Sequence, residues 1–451
     1  MTQGAYQQSR KPQLRAEAFL LAVIALSAVV ALQQSFANGY LPQPFYYLKS
    51  DTLMDWYNTA YWANRPGAYD VWHAVYAPLS LDFLKLFSLH GCYQRTPAFA
   101  RDCDWLGQAT LFAFFLVNGW LAFVCYRAID PATAGLRALA LALGFPMLFA
   151  LERGNLVVPC FTFFMLSEGG LLRRRWQRHL AFAVAVNFKP YLVVTSLPWL
   201  VRRKWLGFAG GAAACLGVYT LSFVLEGAGS PVQLVRNLVA FVHGSAANYW
   251  NDLYNPTSFI PVIDILFNGP ASDRLPLWAS RAMLPSLLIG TMVAGLAAVL
   301  LCYGAVFMNL AQAPRTRLAA MALAVVLTTT GASGYAEIFL LFLVFFERWD
   351  NLGSAIALVS AYLLSIPTDF IVSHVPLGTM QSWVSHREVT PLAGIAVGQF
   401  ARPALLFVVE FALAAATLRN WRRVRPDPQG GALVPPSTYL ANSSMERSIR
   451  P

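Results

Sequence analysis

Apolar runs close to the roughly 20 residues needed to cross a bilayer recur along this chain, and no other feature limits its fold as much. The runs at 17–37, 106–126, 205–225 and 284–310 all approach that length, with shorter ones between them. Several crossings are implied rather than a single anchor. Of the 451 residues, 57% are hydrophobic and only 12% are charged, whereas soluble domains carry about 25% charged residues. The sequence therefore reads as an all-α polytopic membrane protein.

A formal net charge of +11 would suit a nucleic-acid partner if it formed a continuous stripe. Instead the positive residues are bunched between apolar runs, as positive-inside topology requires, so no nucleic acid is expected. Arg10 to Arg15, Arg127 to Arg137, Arg173 to Arg178, Arg202 to Lys204, Arg315 with Arg317, and Arg419 to Arg425 are assigned to the cytoplasm. The first run is long and lacks a clear small-residue cleavage site, so it is expected to be a retained helix and not a signal peptide.

From a cytoplasmic segment 1–16, helix 17–37 leads out to an external stretch 38–104. Helices 106–126, 136–150 and 156–171 follow. The apolar segment 180–201 has basic flanks on both sides, so it should enter and leave by the same face as a re-entrant or broken hairpin. Helix 205–225 leads to a second external stretch, 226–283, which dips back around 257–268. Helix 284–310 returns. Helices 318–332, 336–346 and 352–368, an external stretch 369–400 and helix 402–418 complete a membrane domain over 17–425. The Pro-, Gly- and Ser-rich tail 426–451 reads as disordered. There is no internal repeat.

Chemistry-bearing residues gather in five places. Asp51 and Asp55 are four residues apart and so share a helical face. Among Trp56, Tyr57, Tyr61 and Trp62 one of them would be desolvated enough to act as a general base, unless the helix lies on the membrane with its acids in water. Glu152-Arg153-Gly154-Asn155 interrupts apolar sequence with the side chain best shaped for phosphate and a glycine that allows close approach. Lys189, in Asn187-Phe188-Lys189-Pro190, is about nine residues from either end of its apolar run, too deep for easy snorkelling. Tyr335 and Glu337 sit at a tight outer turn, and Asn248 to Ser258 is polar and aromatic. Cys92 and Cys103 share an external segment and suit a disulfide, or else two free thiols. Glu410 and the Asp82–Lys85 pair read as structural. His73 and His243 lack metal-ligand spacing, and no nucleotide-binding loop or nucleophile elbow is present.

Three of these parts together resemble the polytopic GT-C glycosyltransferases, most closely glycosyltransferase family 87, the polyprenol-phosphate-mannose-type transferases. The first is an early external aspartate followed by Tyr57, by Gly67 with Tyr69, and by Tyr76-Ala77-Pro78, where the family usually has Tyr-Pro-Pro. The second is Arg153-Gly154-Asn155-Leu156, and the third Lys189-Pro190-Tyr191 between basic flanks. The likeness covers roughly the first half of the chain. Beyond it only Asn255 with Ser258 and the turn at Tyr335 match.

The resemblance implies a GT-C-like bundle of about 10–12 transmembrane helices, with external loops carrying short amphipathic helices, in the inner membrane with its site facing the periplasm. It also implies inverting transfer of mannose or a related hexose or pentose from a polyprenyl-phosphate donor to a glycan or glycolipid acceptor. Asp51 or Asp55 would be the base, the spacing leaving both open. Arg153, Asn155 and Lys189 would hold the donor phosphate, and Tyr57, Tyr76, Tyr191, Asn255, Tyr335 and Glu337 the substrates. No cofactor is implied besides the lipid-phosphate sugar itself. Lys189 must then extend to the midplane or beyond from its hairpin. A transporter or flippase of a lipid-linked or anionic solute would also use broken helices with charges at mid-depth. An O-antigen-type polymerase would use outer loops, though richer in arginine than these.

Overall fold

The computed structural model describes residues 3–45, 47–245, 257–263, 283–330 and 332–419. Asn255, the run 248–252 and the tail 426–451 lie outside the described residues. Helices dominate: α1 Gln3–Asn38, α2 Met54–Ala63, α3 Pro78–Leu86, α4 Pro97–Cys103, α5 Trp105–Arg127, α6 Ala134–Ala142, α7 Phe145–Arg153, α8 Val157–Glu168, α9 Arg175–Phe188, α10 Leu197–Val201, α11 Trp205–Glu226, α12 Pro231–Ser245, α13 Leu284–Phe307, α14 Arg315–Thr329, α15 Glu337–Val344, α16 Leu352–Leu364 and α17 Gly398–Leu418. Strands are limited to β1 Val375–Pro376 paired with β4 Leu392–Ala393 and β2 Met380–Gln381 paired with β3 Glu388–Val389, all antiparallel.

Among the described residues, six segments are long and apolar enough to cross a membrane: Lys11–Asn38, Trp105–Arg127, Ala134–Arg153, Trp205–Glu226, Leu284–Phe307 and Gly398–Leu418. They suggest a membrane protein. The pattern of burial agrees, because Phe19, Leu26, Leu206, Leu221, Val224 and Leu300 are exposed on the outside of the bundle while polar groups meet inside it. At the centre lies α15, all eight of whose residues are buried.

Local chemistry explains the element ends. The Asp104 side chain accepts the Gly107 N–H (3.2 Å) and caps α5, and Asn351 accepts the Ser354 N–H (2.9 Å) to cap α16. The expected single helix 136–150 is interrupted. Pro146, in the first turn of α7, has no N–H to donate back, and the Phe145 N–H turns instead to the Ser365 carbonyl (2.9 Å). Helix α9 stops at Lys189, whose backbone is extended (φ −135°, ψ 94°) as a residue before proline prefers. After Pro190 the chain turns back through a 3-10 segment, Pro190–Ser196, into α10. Trp199 of α10 then lies 5.5 Å from the ring of His179 and 5.2 Å from that of Phe182, both well before the end of α9. The segment 175–201 is thus a hairpin with Lys189 near its apex.

Basic and acidic side chains join the helix ends opposite that apex. Arg315 at the start of α14 meets Glu168 at the end of α8 (2.6 Å), and Arg317 meets Glu347 just past α15 (Nε to Oε1, 2.8 Å). Arg137 donates to both carboxylate oxygens of Glu17 (2.9 and 2.7 Å) and to the Phe345 and Glu347 carbonyls. Glu17 also accepts from Trp349 Nε1 (2.7 Å) and the Tyr362 hydroxyl (2.8 Å). It ties the otherwise sparsely buried α1 to the bundle. Glu17→Ala would take their acceptor from the buried Arg137 and Tyr362 and from the half-buried Trp349, and losing one partner of such a pair costs about 3–5 kcal/mol. We expect a clearly lowered melting temperature in detergent; an unchanged one would show that α1 is held by its apolar contacts alone.

Candidate functional site

The other ends of the same helices converge on the acids of the stretch 38–104. Helix α7 ends in Arg153, and Gly154 follows in the left-handed conformation (φ +63°), which reverses the chain into α8. A side chain at Gly154 would be obstructed, since an added Cβ would lie 2.7 Å from the Leu53 carbonyl oxygen. The close approach is used. The Leu53 N–H donates to the Glu152 carbonyl (2.7 Å) and the Thr52 hydroxyl to the Glu152 carboxylate (3.1 Å), which lays residues 51–55 across the end of α7.

Arg153 consequently sits between two carboxylates, Nη1 at 2.9 Å from Asp51 and Nη2 at 3.4 Å from Asp55. Asn155 Nδ2 donates to the other oxygen of Asp55 (2.6 Å), and its own Oδ1 accepts the Val157 N–H (2.9 Å), which fixes the amide orientation. Asp55 is in the first turn of α2, where the helix dipole favours a carboxylate. This helix is packed inside, with seven of its ten residues buried. The alternative of a surface helix with its acids facing water does not describe it.

Lys189 approaches from the hairpin. Its amine lies 5.0 Å from the centroid of the Tyr76 ring and 5.8 Å from that of Tyr335. Among the described residues no hydrogen bond or ion pair gives it an anionic partner. The fourteen residues of α9 span about 21 Å at 1.5 Å per residue, so Lys189 stands that far from the basic end. A hairpin rooted among arginines therefore delivers an amine deep into the bundle. Asp55 lies within electrostatic range of Lys189, Tyr76 and Tyr335. Burial, then the nearby Asp55 and Tyr335, hold the Tyr76 hydroxyl well above its ordinary pKa, so it remains a hydrogen-bond donor. The Tyr191 hydroxyl is buried beside this group and has no hydrogen-bond partner among the described residues.

Two of the expected residues are not brought here. The Tyr57 hydroxyl donates to the Asp104 carbonyl (2.8 Å), away from Asp55 although it is only two residues on. Glu337 faces Arg402 at 3.7 Å, with neither carboxylate oxygen hydrogen-bonded. Arg402 is itself held by the Leu364 and Ile366 carbonyls (2.8 Å each). Among the described residues no group of three or more His, Cys, Asp or Glu is placed to hold a metal ion.

Arg101 supports the site and had no distinguishing mark in the sequence. It is 2% exposed and donates from Nη1 to the Lys49 (2.7 Å) and Thr52 (3.2 Å) carbonyls, fixing the turn that presents Asp51. The Cys92–Cys103 disulfide (Cα–Cα 5.7 Å) closes the loop around it. Trp383, from the β-ribbon, covers the Arg101 guanidinium at 5.2 Å. No protein-family model, curated protein or solved structure matches this chain.

Gly154→Ala is expected to lower stability by roughly 1–2 kcal/mol through the left-handed backbone alone. It should also push residues 51–55 off Arg153. Any activity would then fall at least as far as in Asp51→Asn, whereas Gly170→Ala, another left-handed glycine with open space around it, would leave activity unchanged. Equal behaviour of the two variants would show that the Leu53 contact is unimportant.

Proposed function

We propose that this chain transfers a sugar from a polyprenyl-phosphate donor to a glycan or glycolipid acceptor, with inversion at the anomeric carbon. The observation that carries this reading is the amine of Lys189, half-buried between the rings of Tyr76 and Tyr335, within electrostatic range of Asp55 and with no anionic partner among the described residues. A cation and a base so placed suit a reaction that separates a proton from a leaving phosphate. Asp55 takes the proton of the acceptor hydroxyl, whose oxygen attacks the anomeric carbon. The bond from that carbon to the phosphate oxygen breaks, and the lipid phosphate leaves with the electron pair. Lys189 and Arg153 stabilise its negative charge. Asn155 and Asp51 orient Asp55 and Arg153.

The arrangement of the helix ends supports an inner-membrane location with the site on the periplasmic side. Basic clusters gather at the opposite end, as positive-inside topology requires, and the Cys92–Cys103 disulfide shares the site's end, where an oxidising compartment would keep it. A GT-C-like bundle would be assembled from the six long apolar helices and the shorter apolar ones, Val157–Glu168, Pro190–Val201, Gly334–Val344 and Leu352–Leu364.

The decisive experiment incubates the protein in liposomes with a panel of polyprenyl-phosphate sugars and acceptors and follows donor consumption by mass spectrometry. Consumption with inverted product is the expected result. If every donor survives while an anionic or lipid-linked solute crosses the liposome wall, the hairpin is a transport element instead.

A further inference from the structure

The base of the hairpin carries a second concentration of positive charge, about 21 Å from Lys189 by the length of α9. Three chain segments meet there on Trp199. The Arg315 guanidinium lies 4.5 Å over its ring, His179 is 5.5 Å away, and the Lys204 N–H donates to the Trp199 carbonyl (2.7 Å). Arg178 is one residue from His179 and Arg202 two from Lys204, so the first turn of α9, the 202–204 turn and the start of α14 present their cations together. Partial burial, then the field of Arg202, Arg315, Arg175 and Arg178, pushes the Lys204 amine below its ordinary pKa. Among the described residues the acid paired within this group is Glu168, already bound to Arg315, and the buried Arg315 Nε–H has no acceptor. Arg203 turns away to lie 4.7 Å over Phe307. Around the cations Trp176, Trp205 and Leu206 are exposed, the amphipathic rim that sits at the level of lipid headgroups.

We infer that the cluster formed by Arg175, Arg178, Arg202, Lys204 and Arg315 binds the phosphate headgroup of an anionic glycerophospholipid in the leaflet at this end of the bundle. Guanidinium forks match phosphate oxygens, and the exposed indoles and Leu206 lie against the glycerol and upper acyl chains. A free phosphate would satisfy the cations but leave that apolar rim in water, so the lipid is the better occupant. The inference stands apart from the sugar-transfer reading, because none of these residues belongs to the Asp55 and Lys189 site.

The test is native mass spectrometry of the full chain released from nanodiscs containing equal phosphatidylglycerol and phosphatidylcholine. Each cation in direct contact with the bound phosphate is worth about fivefold in affinity. Arg178→Gln with Lys204→Gln is therefore expected to weaken retention of phosphatidylglycerol by about thirtyfold, two such factors multiplied. A control that removes two charges elsewhere, Arg127→Gln with Arg348→Gln, should retain the wild-type preference. Equal losses in the two variants would mean diffuse surface charge and overturn the site. Displacement of the lipid by inorganic phosphate at millimolar concentration would overturn the choice of a lipid occupant.

Discussion

Asp55→Asn is expected to lower sugar transfer by about a thousandfold, within the range that a positioned general base supplies, while the fold stays intact. Asparagine has nearly the same shape, its carbonyl oxygen can still accept from Asn155, and Arg153 keeps Asp51 as a partner at 2.9 Å. What is lost is the proton acceptor. Asp51→Asn should behave differently, with a loss of about tenfold, because that carboxylate positions Arg153 while Asp55 is the acid whose field acts on Lys189, Tyr76 and Tyr335; misplacement of a stabilising group costs less than removal of the base. Turnover of both variants in liposomes, with a melting curve for each, distinguishes the two roles. A larger loss for Asp51→Asn would exchange the assignments, and full activity in both would remove the base from this site.

The second large effect concerns Lys189→Met. Methionine fits between the Tyr76 and Tyr335 rings and removes a half-buried charge that has no anionic partner among the described residues, so the melting temperature should stay level or rise. Turnover should nonetheless fall by about 10²–10³-fold, the usual cost of removing one preorganised donor from developing negative charge. The combination of equal or greater stability with lost activity is what a structural lysine would not produce. Lys189→Met retaining activity within threefold of the parent would mean that Arg153 alone serves the phosphate.

Much of this architecture was legible because it is written locally. Apolar runs gave five of the six long segments nearly to the residue, α1 alone extending well before its run, and Pro190 after Lys189 between basic flanks gave the hairpin. The split between α6 and α7 was missed. Pro146 suits the first turn of a helix as well as it breaks one, and the bond that settles the matter comes from Ser365, over two hundred residues away.

The sequence by itself determined which stretches are helical, where the polar breaks fall and which residues are chemically suited to a phosphate and a proton, since propensity, periodicity and charge act over a few neighbours. Only the tertiary structure decided which of those residues meet. Asp55 and Arg153 are 98 positions apart, and their contact depends on a glycine that lets two backbones approach. Tyr57, two residues from Asp55, turns to Asp104, and Glu337, two residues from Tyr335, turns to Arg402. A side chain's face follows from its place on a helix. What that face looks onto is set by packing between distant segments, which no local pattern encodes.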